Sequence, residues 1–276
     1  MKTKLNKLLM IAIVATSIFY ACSSDDDGVD VTDDDINVGG GVVGNNDDDI
    51  EEVGITALSS AFNEFSDAVT VTLSDDGTEI FIETTGFPDH TSIYWNPDDP
   101  SGLFIEEPLV TKTTENTFIG GGTGEASSFT VDATPNLTGP TVATELNTIG
   151  ISVSGAAIFN DQEGMGDLDE AASSLDFNGA HKGPGVYHYH LEPRSVSNDD
   201  DELVGILLDG VFLYGRKDYP SNEHPTDLDE SGGHFGPTPH NEEGEYHYHS
   251  INEEFNAPLY GYEEAIVLFA GPFQGF

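Results

Sequence analysis

The sequence predicts an all-β fold for the residues from 53 onward, a sandwich of antiparallel sheets connected by long loops. Short apolar or alternating runs rich in Val, Ile, Phe, Thr and Tyr recur there, separated by Gly, Pro, Asn and Asp. No run keeps apolar residues at helical spacing for three turns, although residues 55–67 predict one short helix. The 16 Phe and 10 Tyr supply enough aromatic area to fill a sandwich core.

The apolar runs predict eight strand segments, and one of them carries its own turn. They lie at residues 68–74, 79–86, 127–133, 150–159, 185–192, 204–215, 244–251 and 265–271. Within "VGILLDGVFLYG", Asp209 and Gly210 stand between two apolar stretches, which predicts a tight hairpin. We treat residues 53–276 as one β-rich domain, with an N-terminal segment at 53–135 and a histidine-rich part at 136–276.

The first 52 residues predict export rather than a folded domain. Three lysines and an apolar run precede Cys22, the only cysteine, so residues 1–21 are predicted to be a lipoprotein signal peptide and Cys22 the lipidated residue. The alternative is an ordinary signal peptide that is cleaved nearby. Residues 22–52 are rich in Asp, Gly and Asn and predict a flexible acidic linker. We therefore expect a lipid anchor at the bacterial outer membrane or cell surface.

The charge balance restricts the possible partners. The chain has 51 acidic residues against eight basic ones, a formal net charge of −43. Such a surface repels nucleic acid phosphates, so we predict no nucleic acid partner and regard divalent cations as plausible ligands. Most of these carboxylates are explained by the solubility of an exported protein.

The histidines indicate where the chemistry lies. "GVYHYHLE" at 185–192 and "GEYHYHSI" at 244–251 repeat one tetrad, and strand alternation places its two imidazoles on one face and its two tyrosines on the other. Imidazole pairs of this kind bind zinc or copper. In each copy a Gly and a further His precede the tetrad. The predicted metal ligands are His181, His188, His190, His234, His247 and His249.

Acidic residues near the motifs, and one further histidine, are candidates for supporting roles around the ligands. These supporting candidates are His90, Asp176, Asp209, Asp229 and Glu230. One ancestral unit used twice predicts a pseudo-symmetric pair of strands whose histidines approach each other or a common cleft. The sequence leaves open whether the tetrads form one site or two.

Several segments together resemble the YHYH domain family of exported bacterial proteins. These are "FPDHTSIYW" at 87–95, "VSGAAIFND" at 153–161, "GAHKGPGVYHYH" at 179–190, "GILLDGVFLYG" at 205–215 and "DLDESGGHFGPTPHNEEGEYHYH" at 227–249. The resemblance implies no established reaction. Family members often have cysteine near the position of Ser231, so a thiol or disulfide role there is absent from this chain.

Three functional hypotheses follow. The first is a surface-anchored lipoprotein that binds a divalent transition metal through the two H-x-H strands. The second is a metal-dependent hydrolase that uses the same histidines, which would need an open coordination position. The third is a structural or adhesive module whose histidines are only hydrogen-bonded core residues. We favour the first and do not favour an enzyme.

Overall fold

The all-β prediction is confirmed by the computed structural model, which describes residues 54–111, 127–164, 166–183, 186–251, 255 and 265–276. The predicted signal peptide, Cys22 and the acidic linker lie outside these residues. No helix in the described part of the chain is long and apolar enough to cross a membrane. The strands form a three-stranded sheet, an eight-stranded sheet and a small two-stranded ribbon.

The three-stranded sheet is antiparallel and contains strands β1 (Val69–Leu73), β2 (Glu79–Thr84) and β3 (Ser127–Asp132), in that order. Strand β2 alternates strictly and turns Ile80, Ile82 and Thr84 inward. A 3-10 helix, Ser60–Glu64, precedes the sheet, so the short helix predicted at 55–67 is reduced to five residues. Ser59 is the N-cap residue of this helix, and its hydroxyl accepts a hydrogen bond from Ala61 N–H.

The eight-stranded sheet carries both histidine tetrads. Its strands are β4 (Gly150–Ser152), β5 (Ala157–Ile158), β8 (Ala180–Lys182), β9 (Tyr187–Tyr189), β10 (Leu203–Leu207), β11 (Phe212–Tyr214), β12 (Gly233–Thr238) and β13 (Asn241–His249). Their order is β12-β13-β11-β10-β4-β5-β9-β8. The pairs β5–β9 and β11–β13 are parallel and the others antiparallel, so the sheet is mixed.

A two-stranded ribbon and a second 3-10 helix follow β5. The ribbon consists of β6 (Gln162–Glu163) and β7 (Gly166–Asp167), and the helix spans Leu168–Ser174. One apolar cluster joins the two larger sheets, because Ile82 and Val131 pack with Ile206 and Phe212. This packing is the sandwich that the sequence predicts.

The eight-stranded sheet is built from two equivalent halves that meet at β4 and β10. The two halves have the same arrangement of strands. From the junction outward, each half has a hairpin, a strand parallel to the second hairpin strand, and an edge strand. "GISVSGAAIFNDQE" at 150–163 aligns without gaps with "GILLDGVFLYGRKD" at 205–218. Ile151 pairs with Ile206, its equivalent, across the junction. The duplication therefore includes the strands before each tetrad.

Two strand predictions need correction. Residues 150–159, predicted as one strand, form the β4–β5 hairpin, because Gly155 adopts φ +94° at its turn. The equivalent Gly210, at φ +82°, forms the predicted Asp209-Gly210 hairpin. Residues 265–271 form no strand but only isolated bridges at Ile266 and Val267, since this segment fills the core in irregular conformation.

Candidate metal centres

Strand alternation places the tetrad side chains as predicted. Tyr187, Tyr189 and Tyr248 are buried in the main apolar core, with Tyr246 packed against it. The tetrad histidines, His188 in β9, His190 directly after it, and His247 and His249 at the end of β13, point to the opposite face and are buried as well. In each half, the preceding edge strand brings a third histidine directly opposite the first tetrad histidine: His181 pairs with His188, and His234 with His247.

The first half assembles three histidines and one carboxylate, which we call site 1. It consists of Glu163, His181, His188 and His190. The Nε2 atom of His188 lies 3.0 Å from Nε2 of His181 and 2.9 Å from Nε2 of His190. The Oε1 atom of Glu163 lies 2.8 Å from Nε2 of His181 and 3.1 Å from Nε2 of His190. Four potential ligand atoms thus converge on one point.

The second half repeats this arrangement as site 2. It consists of Asp218, His234, His247 and His249. The Nε2 atom of His249 lies 3.3 Å from Nε2 of His234 and 3.1 Å from Nε2 of His247. The Oδ1 atom of Asp218 lies 3.0 Å from Nε2 of His234 and 3.2 Å from Nε2 of His249. Asp218 occupies the position equivalent to Glu163 in the aligned repeats.

Outer hydrogen bonds fix the tautomer of all six rings. Every Nδ1 atom lies 2.7 to 3.1 Å from an oxygen that accepts its hydrogen. Backbone carbonyls accept in four cases: Val186 for His188, Asn160 for His190, Glu245 for His247 and Gly215 for His249. Asp227 accepts from His234, and Ser174, whose hydroxyl donates to Ala171 O, accepts from His181. In its neutral form each ring therefore presents a bare Nε2 lone pair to the centre.

Burial favours the neutral form of three of the six rings, those of His188, His247 and His249. It lowers the pKa of His188 well below its usual value, and it lowers the pKa of His247 and of His249 to about 4. Burial therefore favours the form of His188, His247 and His249 that has a free lone pair on Nε2.

The geometry and the donor set fit a transition metal ion. A tetrahedral ion with metal–nitrogen distances of about 2.0 Å separates its ligand atoms by about 3.3 Å. The separations given above for the two sites range from 2.8 to 3.3 Å, so they are equal to this value or shorter by up to half an ångström. The Oε1 atom of Glu163 is buried without a hydrogen-bond partner among the described residues, as a ligand atom awaiting a cation would be. Nitrogen and carboxylate oxygen suit zinc in this shape.

Among the supporting candidates, the three aspartates and His90 contact tyrosines of the tetrads and not the six histidines of sites 1 and 2. Asp176 accepts a hydrogen bond from Tyr187, Asp209 from Tyr248, and Asp229 from Tyr246, at 2.7, 2.6 and 2.9 Å. The Nε2 atom of His90 lies 2.5 Å from the hydroxyl of Tyr189. Glu230 is exposed and belongs to neither site. The aspartates therefore stabilise the opposite face of each strand.

The expected approach of the two tetrads is wrong. The strands β5, β4, β10 and β11 separate β9 from β13 in the sheet, so the tetrads form two sites. Each tetrad finds its third histidine and its carboxylate within its own half. Sequence reasoning also missed both carboxylates, Glu163 and Asp218. The gapless alignment of the two repeats would have revealed them, since both end on an acidic residue.

Fold and sites define an all-β protein with two buried groups of three histidines and one carboxylate. The family model described as YHYH protein matches residues 128–226, so the resemblance to the YHYH domain family is confirmed for this part of the chain. The matched range contains all of site 1 and Asp218, but it ends before the second tetrad. No curated protein and no solved structure matches the chain.

Proposed function

We propose that this protein binds two divalent transition metal ions, one in each site, and that zinc is the preferred ion. The observation that carries the proposal is the orientation of the six imidazoles. Their Nδ1 atoms all donate outward, so their Nε2 lone pairs face one another in a buried space. Lone pairs that face one another repel. A cation bound between them replaces this repulsion with an attraction to each nitrogen.

The closed ligand sets favour binding over catalysis. A catalytic zinc ion usually has three protein ligands and an open position, whereas a structural ion has four protein ligands. Both sites supply four. The small cavity that His247 and His249 line has no room for a water molecule. We therefore propose metal retention, and the stiffening of the fold that accompanies it, rather than hydrolysis.

Metal content measured by mass spectrometry tests this function. The purified full chain, equilibrated with zinc and desalted, should contain two zinc ions per chain. The double variant His188→Ala/His190→Ala and the double variant His247→Ala/His249→Ala should each contain one. His224→Ala is the control and should contain two, because His224 is exposed and contacts Asp199 rather than either site. A parent protein without zinc would refute the proposal.

We also propose that the protein is exported and anchored by a lipid on Cys22. The lysines and apolar run before this single cysteine, and the acidic segment after it, support the proposal. An alkyne-labelled fatty acid fed to expressing bacteria should label the parent chain. The Cys22→Ser variant should be exported without the label, and labelling of that variant would contradict the anchor.

A further inference from the structure

The two sites differ in how they are covered. Glu163 belongs to the β6–β7 ribbon, which runs directly into the second 3-10 helix. Leu168 and Leu175, at the two ends of that helix, are buried in an apolar cluster with Leu191 and Val267. The segment that carries the carboxylate of site 1 is thus anchored in its own small core.

The equivalent segment of site 2 lacks such an anchor. It runs from Asp218 to Asp229 and contains no helix or strand, and all five residues from Pro220 to His224 are exposed. The two carboxylates are themselves similarly exposed, 25% for Asp218 and 22% for Glu163, so the sites differ in the segments that carry them. No fully buried apolar side chain of this segment therefore holds Asp218 beside its histidines.

The third histidines also differ in their outer partners. The imidazole of His181 donates to Ser174, a buried hydroxyl that is itself held by the carbonyl of Ala171. The imidazole of His234 donates to Asp227, whose side chain is 73% exposed. A solvated partner holds a ligand ring less firmly than a buried one, because water competes for the same hydrogen bond.

An aromatic ring reinforces the contrast. Phe159 stacks on His188 with 3.7 Å between ring centroids, at an interplanar angle of 19°. Its equivalent, Tyr214, meets His247 edge-on at 5.4 Å and is hydrogen-bonded to His240. The stacked ring shields one face of site 1 from incoming water or chelator, whereas site 2 has no stacked ring at this position.

We infer that the two sites exchange metal at different rates: site 2 takes up and releases its ion, and site 1 retains it. This inference rests on the proposed binding of one ion per site. One half of the duplicated sheet then holds a permanent structural ion. The other half holds an ion that is available to ligands outside the protein. The pathway for exchange is the displacement of Asp218 with its exposed segment.

Zinc release to the chromophoric chelator 4-(2-pyridylazo)resorcinol tests the inference. The full chain loaded with two zinc ions should release one equivalent at least tenfold faster than the other. The fast phase should be absent from His247→Ala/His249→Ala. Phe159→Ala keeps all ligands and should accelerate only the slow phase, whereas Tyr214→Ala, the matched control, should leave the slow phase unchanged.

The outcomes separate this inference from the proposed function. Two bound zinc ions released in a single phase would overturn the unequal exchange but leave metal binding intact. Loss of the fast phase in a site 1 variant, or acceleration of the fast phase by Phe159→Ala, would overturn the assignment of the exchanging ion to site 2. A chain that binds no zinc would refute both.

Discussion

The hydrogen bond made by Nδ1 of each imidazole determines whether Nε2 is free to bind a metal ion. An isolated histidine pair on a strand does not reveal which nitrogen carries the hydrogen. Backbone carbonyls cannot donate, so a carbonyl next to Nδ1 leaves Nε2 as the free lone pair. The carbonyls of Asn160 and Gly215 have this role at equivalent positions of the two halves, 2.7 Å from His190 and His249. The four tetrad histidines are thus oriented by backbone carbonyls and not by side chains.

A glycine next to each site allows a sharp test at this scale. A Cβ atom at Gly183 would lie 2.6 Å from Cε1 of His188, whereas one at the equivalent Gly236 would lie 3.5 Å from the nearest atom of His234. We expect Gly183→Ala to displace the His188 ring and to weaken zinc binding at site 1 about tenfold or more. Competition titration with a chelator measures the affinity.

Gly236→Ala is the matched control for this change. Its new methyl group makes ordinary van der Waals contact with His234 and His247, so both zinc affinities should remain close to those of the parent. An equal loss in the two variants would show that backbone strain, rather than the position of His188, is responsible.

At the level of elements, a single turn design precedes both edge strands. Asp176 Oδ1 accepts from the N–H groups of Asn178 and Ala180, and Asp229 Oδ1 accepts from those of Ser231 and Gly233. The other carboxylate oxygen of each aspartate accepts from the first tyrosine of the tetrad. One side chain therefore connects the turn, the edge strand and the tetrad strand.

The two aspartates should differ in their contribution to stability because their burial differs. Asp176 is fully buried and also accepts from Ser92, whereas Asp229 is exposed. Asp176→Ala removes the buried acceptor of the Tyr187 and Ser92 hydroxyls. It should lower the free energy of unfolding by about 3 kcal/mol, against about 1 kcal/mol for Asp229→Ala. Urea denaturation of metal-free protein measures both. Equal losses would contradict this role of burial.

The sequence predicted the sandwich, the Asp-Gly hairpin and the six histidines, because each depends on a local pattern. Alternation over four residues is enough to place two imidazoles on one face. The location of Glu163 and Asp218 depends instead on a parallel pairing between β5 and β9 and between β11 and β13, which joins residues far apart in the chain. The separation of the tetrads also depends on a pairing between distant parts of the chain. β4 pairs with β10 at the junction, and this pairing sets the order of the strands in the sheet.

For the whole molecule, the two sites lie in the two halves of one continuous sheet. An ion that binds only the folded state stabilises it by mass action, by about 4 kcal/mol when its free concentration is a thousand times its dissociation constant. We therefore expect chelation to lower the midpoint of thermal unfolding, and expect zinc to restore it. Calorimetry measures the shift, and a midpoint that does not respond to zinc would contradict a stabilising role.

A buried carboxyl gives the fold a separate dependence on pH. Glu107 is buried, its Oε2 atom accepts from Phe177 N–H, and burial, followed by the charge of Asp176, raises its pKa from 4.5 to about 7. The folded state therefore holds this proton over a range in which the unfolded chain has lost it. The contribution of Glu107 to stability consequently falls as the pH rises from about 4.5 to about 7.

The variant Glu107→Gln removes this titration. Relative to the parent, its free energy of unfolding should rise by roughly 1–3 kcal/mol between pH 4.5 and pH 8, because the parent alone must bury a charge at the higher pH. Denaturation of metal-free protein at several pH values gives the difference. A difference that is constant with pH would contradict a raised pKa of Glu107.

The most direct test of two metal centres is a crystal structure of the zinc-loaded protein with anomalous scattering measured on both sides of the zinc edge. Two zinc peaks are expected, one surrounded by Glu163, His181, His188 and His190, the other by Asp218, His234, His247 and His249, with ligand distances of about 2.0 to 2.2 Å. Zinc-free sites in which the imidazoles hydrogen-bond one another would contradict the account, as would a single ion bound elsewhere.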